Sequence, residues 1–237
     1  MTSIVDYSSS DDNDDNDEPQ LKRKASTEIL NQTVKLPKLP CFFDVQQPPV
    51  PSDKHNNRVR TVAHTYDSWA TYVYCKVDLS DELNALSGYL KDVECIEEQH
   101  ISLSRPVYLR KYQLDQFAQE IKEALAHISS FSIAFAQLAP LTNDEKTRSF
   151  LTLEIGTGYN ELQQCMKCVD KIMLQYHKPV FYHPPRFHTS IAWSLNQQQV
   201  ESLSIPSSAI QHITHQTFFI SKIYIKMGNR TEHISLA

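Results

Sequence analysis

One tripeptide pattern occurs twice and constrains the fold of this chain more than any other feature. His100-Ile101-Ser102 and His188-Thr189-Ser190 lie 88 residues apart, within EQHISLSR and FHTSIAWSL. Both runs alternate, and in a strand residues two apart project to one face. His100 and Ser102, with Ser104 next in the alternation, therefore share a face opposite Ile101 and Leu103. In the second copy His188 and Ser190 share a face opposite Thr189, Ile191 and Trp193. A fold that buries both apolar sets and keeps both polar pairs accessible calls for two strand-bearing halves.

The flanking pattern supplies them. Residues 71–77 (TYVYCKV) read as a strand, and Ser80 as the N-cap of a helix through about residue 92. Residues 98–104 form the first motif strand, 112–129 a helix and 131–138 a strand. The second batch has a strand over 148–155 that ends at Gly156-Thr157-Gly158. An amphipathic helix over 160–176 follows, then the second motif strand over 187–195. A short helix over 197–203 and a long strand over 217–227 close the chain, with His212 and His215 in a polar loop between them. The expected class is α+β: a two-lobed, pseudo-symmetric domain with central antiparallel sheets and outer helices.

Charge divides the chain further. Residues 1–18 hold seven acids and no Lys or Arg, whereas residues 19–60 carry a balance of +5, including Lys22-Arg23-Lys24 and a Pro-rich stretch. Such a segment reads as a disordered leader over 1–60, with a basic cluster suited to nuclear import, before a domain over 61–237. The formal net charge of -5 excludes a polybasic nucleic-acid coat, so any such contact must be local. No apolar run reaches the roughly 18 residues of a membrane span, and the first ten residues lack a secretory signal pattern. These features predict a nuclear protein with no membrane contact.

Two imidazoles and two hydroxyls facing one cleft suit phosphodiester chemistry without a metal or cofactor. A neutral His can take a proton from an attacking hydroxyl, and a protonated one can give a proton to the leaving oxygen. Serine hydroxyls can donate to the non-bridging phosphate oxygens. The ordinary reading of each motif alone is a locally bonded strand histidine; it is the second copy that favours catalysis.

At these motifs the sequence resembles the 2H phosphoesterase superfamily, and within it the branch that trims the U-rich 3′ end of U6 snRNA. The resemblance extends from about Arg60 to the C-terminus, through SWATYVY (68–74), HISLSR (100–105), NDEKTRSFLTLEI (143–155), FYHPPRFHTSIAW (181–193) and KMGNR (226–230). It implies a metal-independent 3′–5′ exoribonuclease, monomeric, acting on a single-stranded RNA 3′ end and leaving a 2′,3′-cyclic phosphate that some members open. Carried over, His100 and His188 are the acid–base pair, with His188 taken as base and His100 as acid. Ser102 and Ser190 bind the phosphate, and Tyr182 stacks on the departing base. A cyclic phosphodiesterase or RNA-repair esterase could use the same four residues, and an RNA-binding module could keep the fold without turnover.

Weaker signals carry less. Cys165 and Cys168 have the spacing of a metal or redox pair but no second pair, and read as structural thiols. Gly156 and Gly158 read as a turn rather than a phosphate cradle. Arg105, Arg148, Arg186, Lys226 and Arg230 read individually as solvated surface cations.

Overall fold

A computed structural model describes residues 66–237; the acidic run, basic cluster and Pro-rich leader of the sequence lie outside the described residues. The described chain runs β1 (Trp69–Lys76), α1 (Ser80–Leu86), β2 (Glu94–Cys95), β3 (His100–Ser102), β4 (Val107–Leu109), α2 (Leu114–Leu125), β5 (Phe131–Thr142) and β6 (Ser149–Thr157). It continues through α3 (Tyr159–Gln175), β7 (His188–Ser194), α4 (Gln197–Glu201), α5 (Ser207–Thr214), β8 (Phe218–Ile220), β9 (Lys222–Met227) and β10 (Arg230–Ser235).

The strands form one ten-stranded sheet in the order β10-β9-β1-β3-β7-β6-β5-β8, with β4 paired to β1 and β2 to β7. Neighbours are antiparallel throughout. The motif strands β3 and β7 meet at the centre, so the two lobes share one sheet. The lobes also exchange chain: β9 and β10, the last strands in sequence, complete the half that begins with β1.

Alternation decides which face is core. Val73 and Cys75 of β1, Ile101 of β3, Ile191 of β7 and Ile223 and Ile225 of β9 are fully buried. Helices α2 and α3 present Phe117, Ile121, Leu162, Cys165 and Val169 to the same core. The Cys165 thiol lies close enough to Cys75 for their charges to interact, which puts α3 on the face opposite Tyr74. Burial pushes the Cys165 thiol up to about 12, so Cys165 acts as an apolar core group. Phe117 and Tyr176 lock α2 to the end of α3 through an edge-on ring contact at 5.2 Å.

Several local expectations change. Leu79 rather than Ser80 stands at the N-cap of α1; Ser80 is already helical, and its N–H and hydroxyl donate to Asp78 Oδ1 at 3.1 Å and 2.6 Å. His212 lies within α5, whose Ile213 is buried, rather than in a loop. The expected strand over 217–227 breaks at Ser221 into β8, which pairs with β5, and β9, which pairs with β1. Gly158, at φ 84°, turns the end of β6 into α3; a Cβ there would stand 2.6 Å from Ile133 Cγ2, and the left-handed backbone itself favours glycine.

Candidate active site

A single register pair assembles the site. Ile101 of β3 lies opposite Thr189 of β7, and both side chains are fully buried on the core face. One step either way along these antiparallel strands sets Ser102 across from His188, and His100 across from Ser190. All four project to the other face, where each is half-buried. Directly opposed Cβ atoms are about 5 Å apart and diagonal ones roughly 7 Å. The two imidazoles thus flank a gap of phosphate size, with a serine beside each.

The two histidines are held alike. The carbonyl of Arg186 lies 2.7 Å from His188 Nδ1; because it can only accept, Nδ1 carries the proton in the neutral ring and Nε2 is left for the cleft. His100 makes the matching bond to the backbone of Glu98, also two residues before it. Burial pushes both imidazoles below their ordinary value. These carbonyl bonds oppose the shift at each ring. The charges of His188 and Lys226 add to it at His100, as that of Arg186 does at His188. Glu154 faces His188 across β6 and opposes the shift there.

The other sequence candidates divide. Ser104 leaves the cleft: it is buried, and its Oγ accepts from the Val73 N–H at 2.9 Å, tying β3 to β1. Tyr182 stays exposed beside the motif strands, yet it is not a bare platform. The Arg105 guanidinium lies 4.4 Å above its ring, and its hydroxyl donates to Asp144 at 3.0 Å. Arg105 pairs with the same carboxylate at 3.1 Å. Arg105, half-buried, is thus more than a solvated cation, whereas Arg186 and Arg230 stay exposed as expected while pairing with Glu154 and with Asp115 and Glu232. No group of three or more His, Cys, Asp or Glu among the described residues is placed to hold a metal ion.

Three tyrosines that sequence reading assigned only to strands also reach this face. Tyr74 sits directly across from Ser102, Tyr224 across from Tyr74, and His233 across from Tyr224. The Tyr74 and His100 rings meet edge-on at 5.3 Å, and Tyr72 lies 6.0 Å from His100. The available signal was phase: Tyr72 and Tyr74 alternate with the buried Val73 and Cys75.

A family model named HVSL, described as an uncharacterised conserved protein, matches residues 37–235. The chain is 34% identical to U6 snRNA phosphodiesterase 1 of Danio rerio over 62% of its own length and 56% of that protein's. Against the Xenopus laevis protein of the same name it is 31% identical over 77% and 80%. It thus spans little more than half of the fish relative. Among solved structures, Usb1 of Kluyveromyces marxianus superposes with a TM-score of 0.54 at 16% identity, covering 70% of this chain and 98% of that one. The same protein has been solved with uridine monophosphate. At that identity the likeness concerns the fold.

Proposed function

The chain belongs to the HVSL family, and from that premise we propose that it is a 2H phosphoesterase, a 3′–5′ RNA exonuclease that trims the U-rich 3′ end of U6 snRNA in the nucleus, acting as a monomer. The observation that carries the reading is the Ile101–Thr189 pairing, which sets two imidazoles and two hydroxyls around one gap. The relatives' shared name supplies the substrate.

In the proposed step one neutral imidazole removes the proton from the 2′-hydroxyl of the penultimate nucleotide. The freed oxygen attacks the adjoining phosphorus, and the P–O5′ bond breaks. The other imidazole, protonated, gives its proton to O5′, so a nucleoside departs and a 2′,3′-cyclic phosphate remains. Ser102 and Ser190 donate to the non-bridging oxygens as charge builds. Tyr182 holds the departing base by stacking, on the ring face away from Arg105 or after that guanidinium moves aside. Opening the cyclic phosphate uses the same pair with roles reversed and water as nucleophile. His188 as base and His100 as acid remains the working assignment, since burial and backbone bonding treat the two rings alike.

The direct test incubates 3′-hydroxyl oligo(U) with the full chain in excess EDTA. Stepwise shortening is expected, the first cut releasing uridine and each later cut releasing a uridine that carries the cyclic or opened phosphate left by the cut before it; binding without shortening would leave only an RNA-binding module. Mass analysis of the new end separates cyclic from opened phosphate.

A pH dependence follows. The base must be neutral, so its pKa sets the acid limb of kcat/KM; the acid must be protonated, so its pKa sets the alkaline limb. Both are lowered in the free protein, so both limbs move toward acid. The kcat/KM bell is expected to peak below about 6.5, the ordinary imidazole value. A bound phosphate favours imidazolium, so the kcat bell lies at higher pH than the kcat/KM bell. A kcat/KM optimum above about 7.5 would exclude this pair as the titrating groups.

A further inference from the structure

The site face does not end at the histidines. From Ser102 a straight row of register partners crosses β1, β9 and β10 through Tyr74, Tyr224 and His233. Tyr74 and Tyr224 stack with centroids 5.5 Å apart and planes 24° apart. Tyr72 packs on Tyr74 at 5.3 Å, and His233 approaches Tyr224 at 6.0 Å. The three tyrosines are half-buried and His233 is exposed. Cations border the row: Lys76 faces His100, Lys226 faces Tyr72, and Lys222 precedes the row on β9. None of these lysines forms an ion pair among the described residues. One carboxylate, Glu98, lies close enough for its charge to act on Tyr72 and Tyr74.

We propose that this aromatic row is a stacking subsite for unpaired nucleotides on the 5′ side of the scissile phosphate, with Lys76, Lys222 and Lys226 beside their phosphates. The inference rests on the trimming reaction proposed above, and it adds where the retained strand lies. Continuity argues for it, because the row starts at the Ser102–His188 pair and leads away from Tyr182, the place of the departing base. Charge argues for it too: the three lysines outnumber Glu98 and Asp78, the latter close enough for the Lys76 charge to act on it. Strands lie about 4.8 Å apart, so Tyr74 and Tyr224 span room for one or two bases.

The test is affinity against length. Oligo(U) of two, four and six nucleotides, each with a 2′-deoxy penultimate residue to prevent turnover, is titrated calorimetrically into the full chain. Wild type is expected to bind the tetramer roughly tenfold more tightly than the dimer, the scale of one stacked base. Tyr224→Leu should lose that gain and Tyr224→Phe should keep it, which separates a missing ring from a misfolded chain. Affinity that is flat with length in wild type, or a gain retained in a folded Tyr224→Leu, overturns the subsite. A failure of the reaction is distinct: length-dependent binding without shortening of unblocked oligo(U) leaves the shelf standing and removes the exonuclease.

Discussion

Oligo(U) that the wild-type protein shortens should stay essentially intact with His100→Ala or His188→Ala, each variant slower by about 10²–10⁴-fold. The size follows from what each ring does. At neutral pH neither the 2′-hydroxyl nor a departing 5′-alkoxide exchanges its proton unaided at a useful rate, so each imidazole carries one transfer. Each variant also removes a half-buried ring that donates to a backbone carbonyl. Unfolding is not expected, because the motif histidines face the cleft while Ile101 and Thr189 hold the core side; an unchanged melting temperature checks this. The same variants assign the roles. A substrate whose 5′-leaving group has a low pKa needs no acid, so it should restore most of the rate to the variant lacking the acid and little to the other. Rescue of His100→Ala alone is the expected result, and equal rescue of both variants would sink the assignment.

What the sequence made legible was local. Period-two alternation around each His-x-Ser placed both motifs on strands, and the 3.6-residue periodicity placed α2 and α3. What stayed hidden was how distant segments pair. That Ile101 meets Thr189 depends on two strands separated by 88 residues, and no local pattern encodes that register. The apolar run after residue 217 shows why: it alternates almost without interruption, yet β8 serves one half of the sheet and β9 the other, divided at Ser221. The tyrosine row was missed for the same reason. Tyr74 and Tyr224 are ordinary strand residues until register lines them up with Ser102. In α5 the Ser and His residues masked the apolar contribution of Ile210 and Ile213, which pack toward the core. Ser104 failed differently. Alternation gave it the right phase, but β3 ends at Ser102 and the hydroxyl turns to the backbone of Val73.

A second substitution, in the substrate rather than the protein, should have an equally large effect. Replacing only the penultimate 2′-hydroxyl of an oligo(U) by hydrogen should stop release of the terminal nucleoside altogether, while affinity changes little. The reason is chemical identity: that oxygen is the nucleophile, and two histidines and two serines cannot replace it. The 2′-hydroxyl is also what distinguishes RNA from DNA, so the same atom makes the reaction RNA-specific without a dedicated recognition contact. Position sharpens the test. A 2′-deoxy residue at the 3′ terminus leaves the nucleophile in place, so one nucleoside should still depart. A 2′-deoxy residue third from the end should permit one release and then stop, because the next cut would need the missing oxygen. This stalling ladder, read by mass spectrometry, reports the attacking group directly. Steady trimming through a single deoxy residue would mean that water attacks the phosphorus, with the histidines activating water rather than the RNA's own hydroxyl.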